Sequence, residues 1–389
     1  MTIVQVVPEL ETGGAERTAV DIAGALVEAG ARAIVVSQGG RLVDELIALG
    51  GEHVTMPVGT KSPVGLYRNA RHLAALMERQ KADIIHARSR APAWSALWAA
   101  SWTGRPFLTT YHGAYNERTI VKNRYNSVMV RGRKVIANSQ YTADLIRRRH
   151  PFAADRIVTI HRGTDLARFA DPGAAARGAA MRAGWGIAAD VPILLNIARL
   201  TPWKGQMVLV EALALLAAEH PAPFVCVLAG EDQGRSDYSA ALTARAAELG
   251  VADRLHLAGH VADVAGALAA ATVAVQPSTE PEAFGRAAVE AEAAGVPVVV
   301  SDLGAVRETV LAPPEVPAEA RTGWRVPPGE AAALAAALAD ALAASPEARA
   351  AIGARGKAHA HAYFSLEAMK KKTLAVYHSL LEDERSALY

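Results

Sequence analysis

With 389 residues the chain is longer than one hydrophobic core commonly supports, so two domains are expected. About half of it is apolar (51%) and a fifth charged (21%), a soluble globular composition, and no apolar run approaches the roughly 18 residues of a membrane span. The lone Cys226 excludes an internal disulfide framework; its apolar setting, Phe224 to Leu228, reads as a buried strand rather than the site of a nucleophile.

The first segment, Met1 to Val7, has no basic lead and no small-residue cleavage site, so it reads as a strand and not a signal peptide. Short β-branched runs then alternate with helical patterns. Strands are expected at Ile3–Val7, Arg32–Ser37, Ile84–Ala87, Phe107–Tyr111, Lys134–Ala137 and Ile157–Ile160. A Gly/Ala/Pro-rich stretch around Asp171 to Gly178 reads as a linker between about 168 and 185. Further strands follow at Ile193–Ile197, Phe224–Ala229, Arg254–Leu257, Val273–Gln276 and Val296–Ser301. Between them lie amphipathic stretches such as Ala15–Ala29, where Ala19, Ile22, Ala23 and Leu26 share a face and Gly30 supplies the stop. The alanine-rich 331–344 reads as a packed helix, and Ser365 as the N-cap of a last helix. The alternation predicts an α/β protein with two parallel sheets, each covered by helices on both faces. Ligands of such sheets lie beyond the C-terminal strand ends, so two domains facing each other across a cleft are expected.

The net charge of +2 conceals an asymmetry. Residues 1–180 carry 24 Lys/Arg against 15 Asp/Glu (+9), and residues 181–389 carry 17 against 24 (−7). Within 118–134 stand Arg118, Lys122, Arg124, Arg131, Arg133 and Lys134 with no acidic residue, and Arg147, Arg148 and Arg149 follow. This is either a solvated basic face or a surface for anionic lipid head groups or a phosphorylated acceptor. Nucleic acid is not expected, because aromatic residues are sparse and no binding module is recognisable.

Three segments could carry chemistry. Thr12-Gly13-Gly14-Ala15-Glu16-Arg17 follows the first strand; its glycines either let helix-start amides approach an anion or merely form a turn. Neither G-x-G-x-x-G nor Walker A occurs there, which disfavours dehydrogenases and nucleotide hydrolases. Arg199 and Lys204, just past strand Ile193–Ile197, could clamp a diphosphate, or be structural. The third is Glu280 to Glu290. Eight residues of helix would rise roughly 12 Å, so Glu282 and Glu290 are not a close acid/base pair. They could hold opposite ends of an elongated ligand, or Arg286 and Glu290 could form an ordinary i,i+4 pair; physics alone leaves both open.

Glu282 and Glu290, enclosing Phe284-Gly285 and followed by Gly295 and Pro297-Val298-Val299, resemble the E-x7-E signature of retaining GT-B glycosyltransferases of family 4 (glycosyl transferases group 1). The resemblance runs through Gly13-Gly14, Tyr111-His112-Gly113, Asn138-Ser139, Arg162-Gly163-Thr164-Asp165, Arg199/Lys204, Ala229-Gly230, Gly259, Gly304 and Thr322-Gly323. It implies the GT-B fold, two Rossmann-like domains, with an acceptor domain over 1–170, a donor domain over 185–365, and a C-terminal helix about 366–389 packing back on the first. It also implies that Arg199 and Lys204 neutralise the donor diphosphate, Glu290 holds the ribose and Glu282 the transferred sugar. Ala283, Phe284, Gly285 and Arg286 line the sugar and phosphate, with Gly230 beside them and His260 and Val261 near the base. From the first half, Gly13 and Gly14 approach the phosphate and His112 faces the sugar. Catalytic roles fall to His112, Glu282, Arg199 and Lys204. Ala198, Arg286 and Glu292 depart from the usual pattern without removing an expected functional group.

The function thus implied is retaining transfer of a sugar from a nucleotide-diphosphate sugar (UDP- or GDP-) to an acceptor hydroxyl, on a lipid-linked or lipopolysaccharide-type envelope glycan. No cofactor is expected: there is no D-x-D, and His359 and His361 point to different faces, so no metal site is assigned. A reducing cytoplasm fits the single cysteine, and the basic first half suits a peripheral place at the inner membrane face. A nucleotide-sugar epimerase on the same fold and a non-catalytic nucleotide-sugar binder are the alternatives.

Overall fold

The structure, a computed structural model, describes residues 1–11, 13–113, 119–220, 222–232, 234 and 236–386. It divides into two compact units: Met1–Gly163 together with the segment from Leu366 onward, and Thr164–Ser365.

In the first unit seven strands form one parallel sheet: β1 (Thr2–Val6), β2 (Arg32–Ser37), β3 (Glu52–Thr55), β4 (Ile84–Ala87), β5 (Phe107–Tyr111), β6 (Lys134–Ala137) and β7 (Ile157–Thr159). Their order is β3-β2-β1-β4-β5-β6-β7, with Val4 opposite both Ile34 and Ile85. Helices cover both faces, so the central strands read as continuous apolar runs; all five residues of β1 are buried. The order reverses at β1/β4, which opens a crevice beyond the C-terminal ends of those two strands. The helix Leu366–Ser386 inserts Met369, Val376, Tyr377 and Leu380 among Ile3, Ile22, Leu26, Ile136 and Ile160. Those four positions recur at helical spacing and form one apolar stripe, which is why the segment joins this core.

The second unit has a six-stranded parallel sheet: β8 (Ile193–Ile197), β9 (Val225–Ala229), β10 (Leu255–Gly259), β11 (Val273–Gln276), β12 (Val298–Ser301) and β13 (Gly323–Val326). The order is β10-β9-β8-β11-β12-β13, and its reversal lies at β8/β11. Cys226 is buried on β9, and burial pushes its thiol up to about 12.

The stretch read as a linker is not one. Leu166–Phe169 is a short 3-10 turn and Ala174–Gly184 an α-helix, and Leu166, Phe169 and Ala174 pack into the second core with Phe284 and Phe364. The small residues have a packing purpose. A Cβ on Gly178 would stand 2.8 Å from the Ala270 amide nitrogen, so only glycine admits the helix Val264–Ala270 so closely. The division therefore falls at Gly163/Thr164, before the 168–185 stretch.

Candidate functional site

In the second unit the chain leaving β8 is pressed against the exit of β9. A Cβ on Gly230 would lie 1.9 Å from the Ala198 carbonyl oxygen. Arg199 follows, exposed, with no side-chain hydrogen bond or ion pair among the described residues. Its carbonyl accepts from Nε2 of the buried Gln206 at 3.0 Å, which pins the backbone and leaves the guanidinium free to point outward.

The 3-10 turn Pro202–Lys204 ends at Gly205, whose left-handed φ of 73° and contact with Pro277 (an added Cβ would meet its oxygen at 1.8 Å) turn the chain toward β11. Lys204 Nζ thereby donates to Glu282 Oε1 at 2.8 Å, and Ser278 Oγ donates to the same oxygen at 2.6 Å. The two charged side chains retain only 13% and 15% exposure, and Lys204 also lies 4.3 Å from the Trp203 ring centroid. Glu282 is fixed from behind by the Ala305 amide, which donates to its carbonyl at 2.9 Å.

Gly285, at φ 80°, caps the helix Arg286–Ala293. Because that helix begins only at Arg286, Glu290 lies in its second turn, about 6 Å of rise from the start. The roughly 12 Å expected from eight helical residues does not apply, since Glu282 to Gly285 is not helical. Arg286 Nε reaches Glu290 Oε1 at 3.2 Å, so the ordinary i,i+4 pair exists, with Arg286 51% and Glu290 13% exposed. Ala283 is half-buried, and the Phe284 ring is core, edge-on to Phe364 at 5.5 Å, leaving only backbone of this residue for a ligand. His260, exposed, lies 3.7 Å from Glu231 Oε1 just past β10, beside the half-buried Val261. Glu292, unusual for its position, is buried without a completed hydrogen bond; burial pushes its carboxyl well above the carboxylate range, and the nearby Thr322 hydroxyl only partly opposes this.

In the first unit Gly13 and Gly14 open the helix Gly14–Glu28 beyond β1. A Cβ on Gly14 would lie 2.2 Å from Arg162 Nη1, so the glycine makes room for that guanidinium. His112, just past β5, shares a cavity with Arg88, Arg162 and Asn138. Both its ring nitrogens are buried without a partner, and burial first, then the Arg88 and Arg162 charges, keep it neutral. Sequence reasoning assigned no role to Arg88 or Arg162; the available signal was the place of Arg88, one residue past β4 at the order reversal. Thr12 and Arg118 lie outside the described residues.

The basic cluster is not one patch. Lys122 and Arg124 sit on the helix Ile120–Asn126 after β5, while Arg131 and Arg133 line a depression with Arg105 and Arg156 at the opposite, N-terminal ends of β5 and β6. Among the described residues no group of three His, Cys, Asp or Glu is placed to hold a metal, and no single helix is long and apolar enough to cross a membrane. Among the described residues one bent helix pair, Ala331–Ala343 with Pro346–Tyr363, is together long and apolar enough to do so. Leu334, Ala335, Leu338 and Ala341 of the first are buried in the core on the other face of the second sheet, with Leu194, Cys226 and Val275.

Residues 12–168 match the family described as Glycosyltransferase Family 4, and residues 179–359 the family Glycosyl transferases group 1. A glycosyltransferase crystal structure from Rickettsia africae is 32% identical, with a TM-score of 0.88 and 98% of each chain covered. Anabaena HepE in complex with UDP is 25% identical, with a TM-score of 0.82 over 97% of this chain and 100% of that one. Among curated sequences, a D-inositol 3-phosphate glycosyltransferase from Streptomyces scabiei is 33% identical over 260 residues, 65% of this chain. That match spans about half, 55%, of the relative's own length.

Proposed function

Since the chain belongs to the group 1 glycosyltransferases of family 4, with the GT-B fold, we propose that it transfers a sugar from a nucleotide-diphosphate sugar to an acceptor hydroxyl with retention of the anomeric configuration. The observation that carries this reading is the cluster at the β8/β11 reversal: a free exposed Arg199, and Lys204 held on Glu282. Open α/β sheets bind ligands at such a point. Arg199 is the diphosphate fork, Lys204 the point charge beside it, Glu282 the acceptor of sugar hydroxyls and Glu290 of the ribose. The UDP complex of HepE supports a nucleotide-sugar donor, here a UDP-sugar.

Glu282 is engaged by both Lys204 and Ser278, which supports a binding carboxylate rather than a nucleophile. The acceptor oxygen then attacks the anomeric carbon on the face the diphosphate leaves. The bond from that carbon to the phosphate oxygen breaks, and the acceptor's proton passes to the departing phosphate. Arg199 and Lys204 offset the negative charge developing there, with no resident metal.

The acceptor in this reading is anionic. The +9 charge of residues 1–180 supports it, as does the name of the inositol 3-phosphate relatives. A lipid-linked or lipopolysaccharide-type glycan at an anionic membrane surface fits the same charge. Calorimetry with UDP-, GDP- and ADP-sugars tests the donor. Arg199→Ala is expected to weaken UDP-sugar binding by about tenfold or more. Its thermal midpoint should stay unchanged, since the side chain has no partner among the described residues to lose. Binding of none of these compounds, or full turnover in the variant, overturns the reading.

A further inference from the structure

Lys204 answers two demands that conflict. Its Nζ donates to Glu282 Oε1 at 2.8 Å, a contact that offsets its charge, and little of either side chain reaches water. In the proposed reaction it must also offer positive charge to a diphosphate. An ammonium has three donors, and Glu282 takes one of them. A second direction is set by Trp203: Nζ stands over the indole ring, 4.3 Å from its centroid. A ring face attracts a cation through its quadrupole without bringing a full negative charge. It therefore shields the ammonium from water and leaves its charge uncancelled.

The chain itself places the ring. Trp203 is half-buried in the 3-10 turn Pro202–Lys204, and its carbonyl accepts from the Thr279 amide at 2.8 Å and from the Thr279 hydroxyl at 3.3 Å. Those bonds tie the exit of β8 to the exit of β11, the segment that carries Ser278 and Glu282. The indole N–H has no partner among the described residues, so no hydrogen bond at the ring edge accounts for its pose. The lysine stem is flexible, with four carbons between backbone and ammonium. Two fixed surfaces, a carboxylate oxygen and a ring face, then define where that ammonium stays.

We propose that Trp203 is a positioning residue for the donor diphosphate: its indole face and Glu282 together hold the Lys204 ammonium so that the remaining donor meets a phosphate oxygen. This rests on the nucleotide-sugar reading of the same site and adds to it a residue that the family resemblance leaves without a role. A leucine at this position keeps an apolar side chain but has no ring face. A phenylalanine keeps the face, with a weaker quadrupole than tryptophan.

The test is calorimetry of UDP with the full chain, arranged as a double-mutant cycle on Trp203 and Lys204. Trp203→Leu is expected to weaken UDP by about three- to tenfold, and Trp203→Phe by about threefold or less. With Lys204→Ala already present, Trp203→Leu should bring no further loss, because the ring acts through the ammonium. A loss that persists undiminished without Lys204 overturns the proposal, since the indole would then touch the nucleotide or merely hold the fold. Equal losses in Trp203→Leu and Trp203→Phe do the same. Fluorinated tryptophans placed at this position alone keep the shape of the ring and withdraw electron density from its face. UDP affinity should fall stepwise with the number of fluorines; a flat series sinks the proposal even where Trp203→Leu does not fold. The underlying reading is tested apart from this. If UDP binds and needs Lys204 but ignores the ring, only the role of Trp203 falls; if wild type binds no UDP, the donor reading falls and the role of Trp203 with it.

Discussion

Lys204 and Glu282 stand 78 residues apart in the chain and 2.8 Å apart in the fold, most of each side chain shielded from water. The pair places a cation and an anion on neighbouring strand exits, which divides the labour between two parts of one ligand. Glu282→Gln is expected to leave UDP binding unchanged or tighter, because it releases Lys204, while turnover of a UDP-sugar falls by about 100-fold or more. Lys204→Ala should weaken UDP itself by about tenfold or more. Calorimetry with UDP beside steady-state rates separates the two variants. Equal loss of UDP affinity in both would show that the pair acts as one unit and not as two subsites.

The pairing depends on a glycine. Gly205 holds φ 73°, and a Cβ there would meet the Pro277 carbonyl oxygen at 1.8 Å. Gly205→Ala therefore combines left-handed strain with a backbone clash, and a loss of about 2 kcal/mol or more is expected from urea denaturation. Gly184, at the end of the helix Ala174–Gly184, has nothing within 4 Å of an added Cβ, so Gly184→Ala should be neutral or stabilising by up to about 1 kcal/mol. A similar loss in both would remove the argument from close approach.

Most strands that show in the sequence are buried on both faces, because burial demands an unbroken β-branched run, although the half-buried edge strands β7 and β10 show as well. Two strands do not show. β3, Glu52 to Thr55, is an edge strand with exposed ends, and β13 carries Gly323 and Arg325 in only four residues. The Gly/Ala stretch at 171–184 misleads for a related reason: small residues signal a flexible connection in isolation and a tight helix contact once Gly266 and Ala270 lie opposite.

Among the site residues, spacing and composition locate Arg199, Lys204, Glu282 and Glu290 but do not decide between ligand contact and surface pairing. Arg286 and Glu290 do form a surface-type pair, with Glu290 the more enclosed partner. Contacts such as Lys204 to Glu282 need the turn at Gly205 and cannot be read from either segment alone. The charge of Arg88 is visible in the sequence, but its burial is a tertiary property, and only burial makes it unusual.

Asp21 offers a pH test of the same cluster. Burial pushes its carboxyl up to about 6, and the charges of Arg17, Lys370 and Arg162 only partly oppose this. The folded state then binds more protons than the unfolded one between about pH 4 and 6. Stability therefore falls as pH rises through that window, and the cost is fully present above it. Asp21→Asn carries no such cost, so it should be more stable than wild type at about pH 7.5, by about 1–2 kcal/mol after allowing for partial exposure. The advantage should shrink steadily as pH is lowered from about 6 to 4, as read from melting curves across that range. A variant less stable than wild type at about pH 7.5 would mean that Asp21 serves chiefly as the counter-ion of these arginines, its attraction to them outweighing its desolvation.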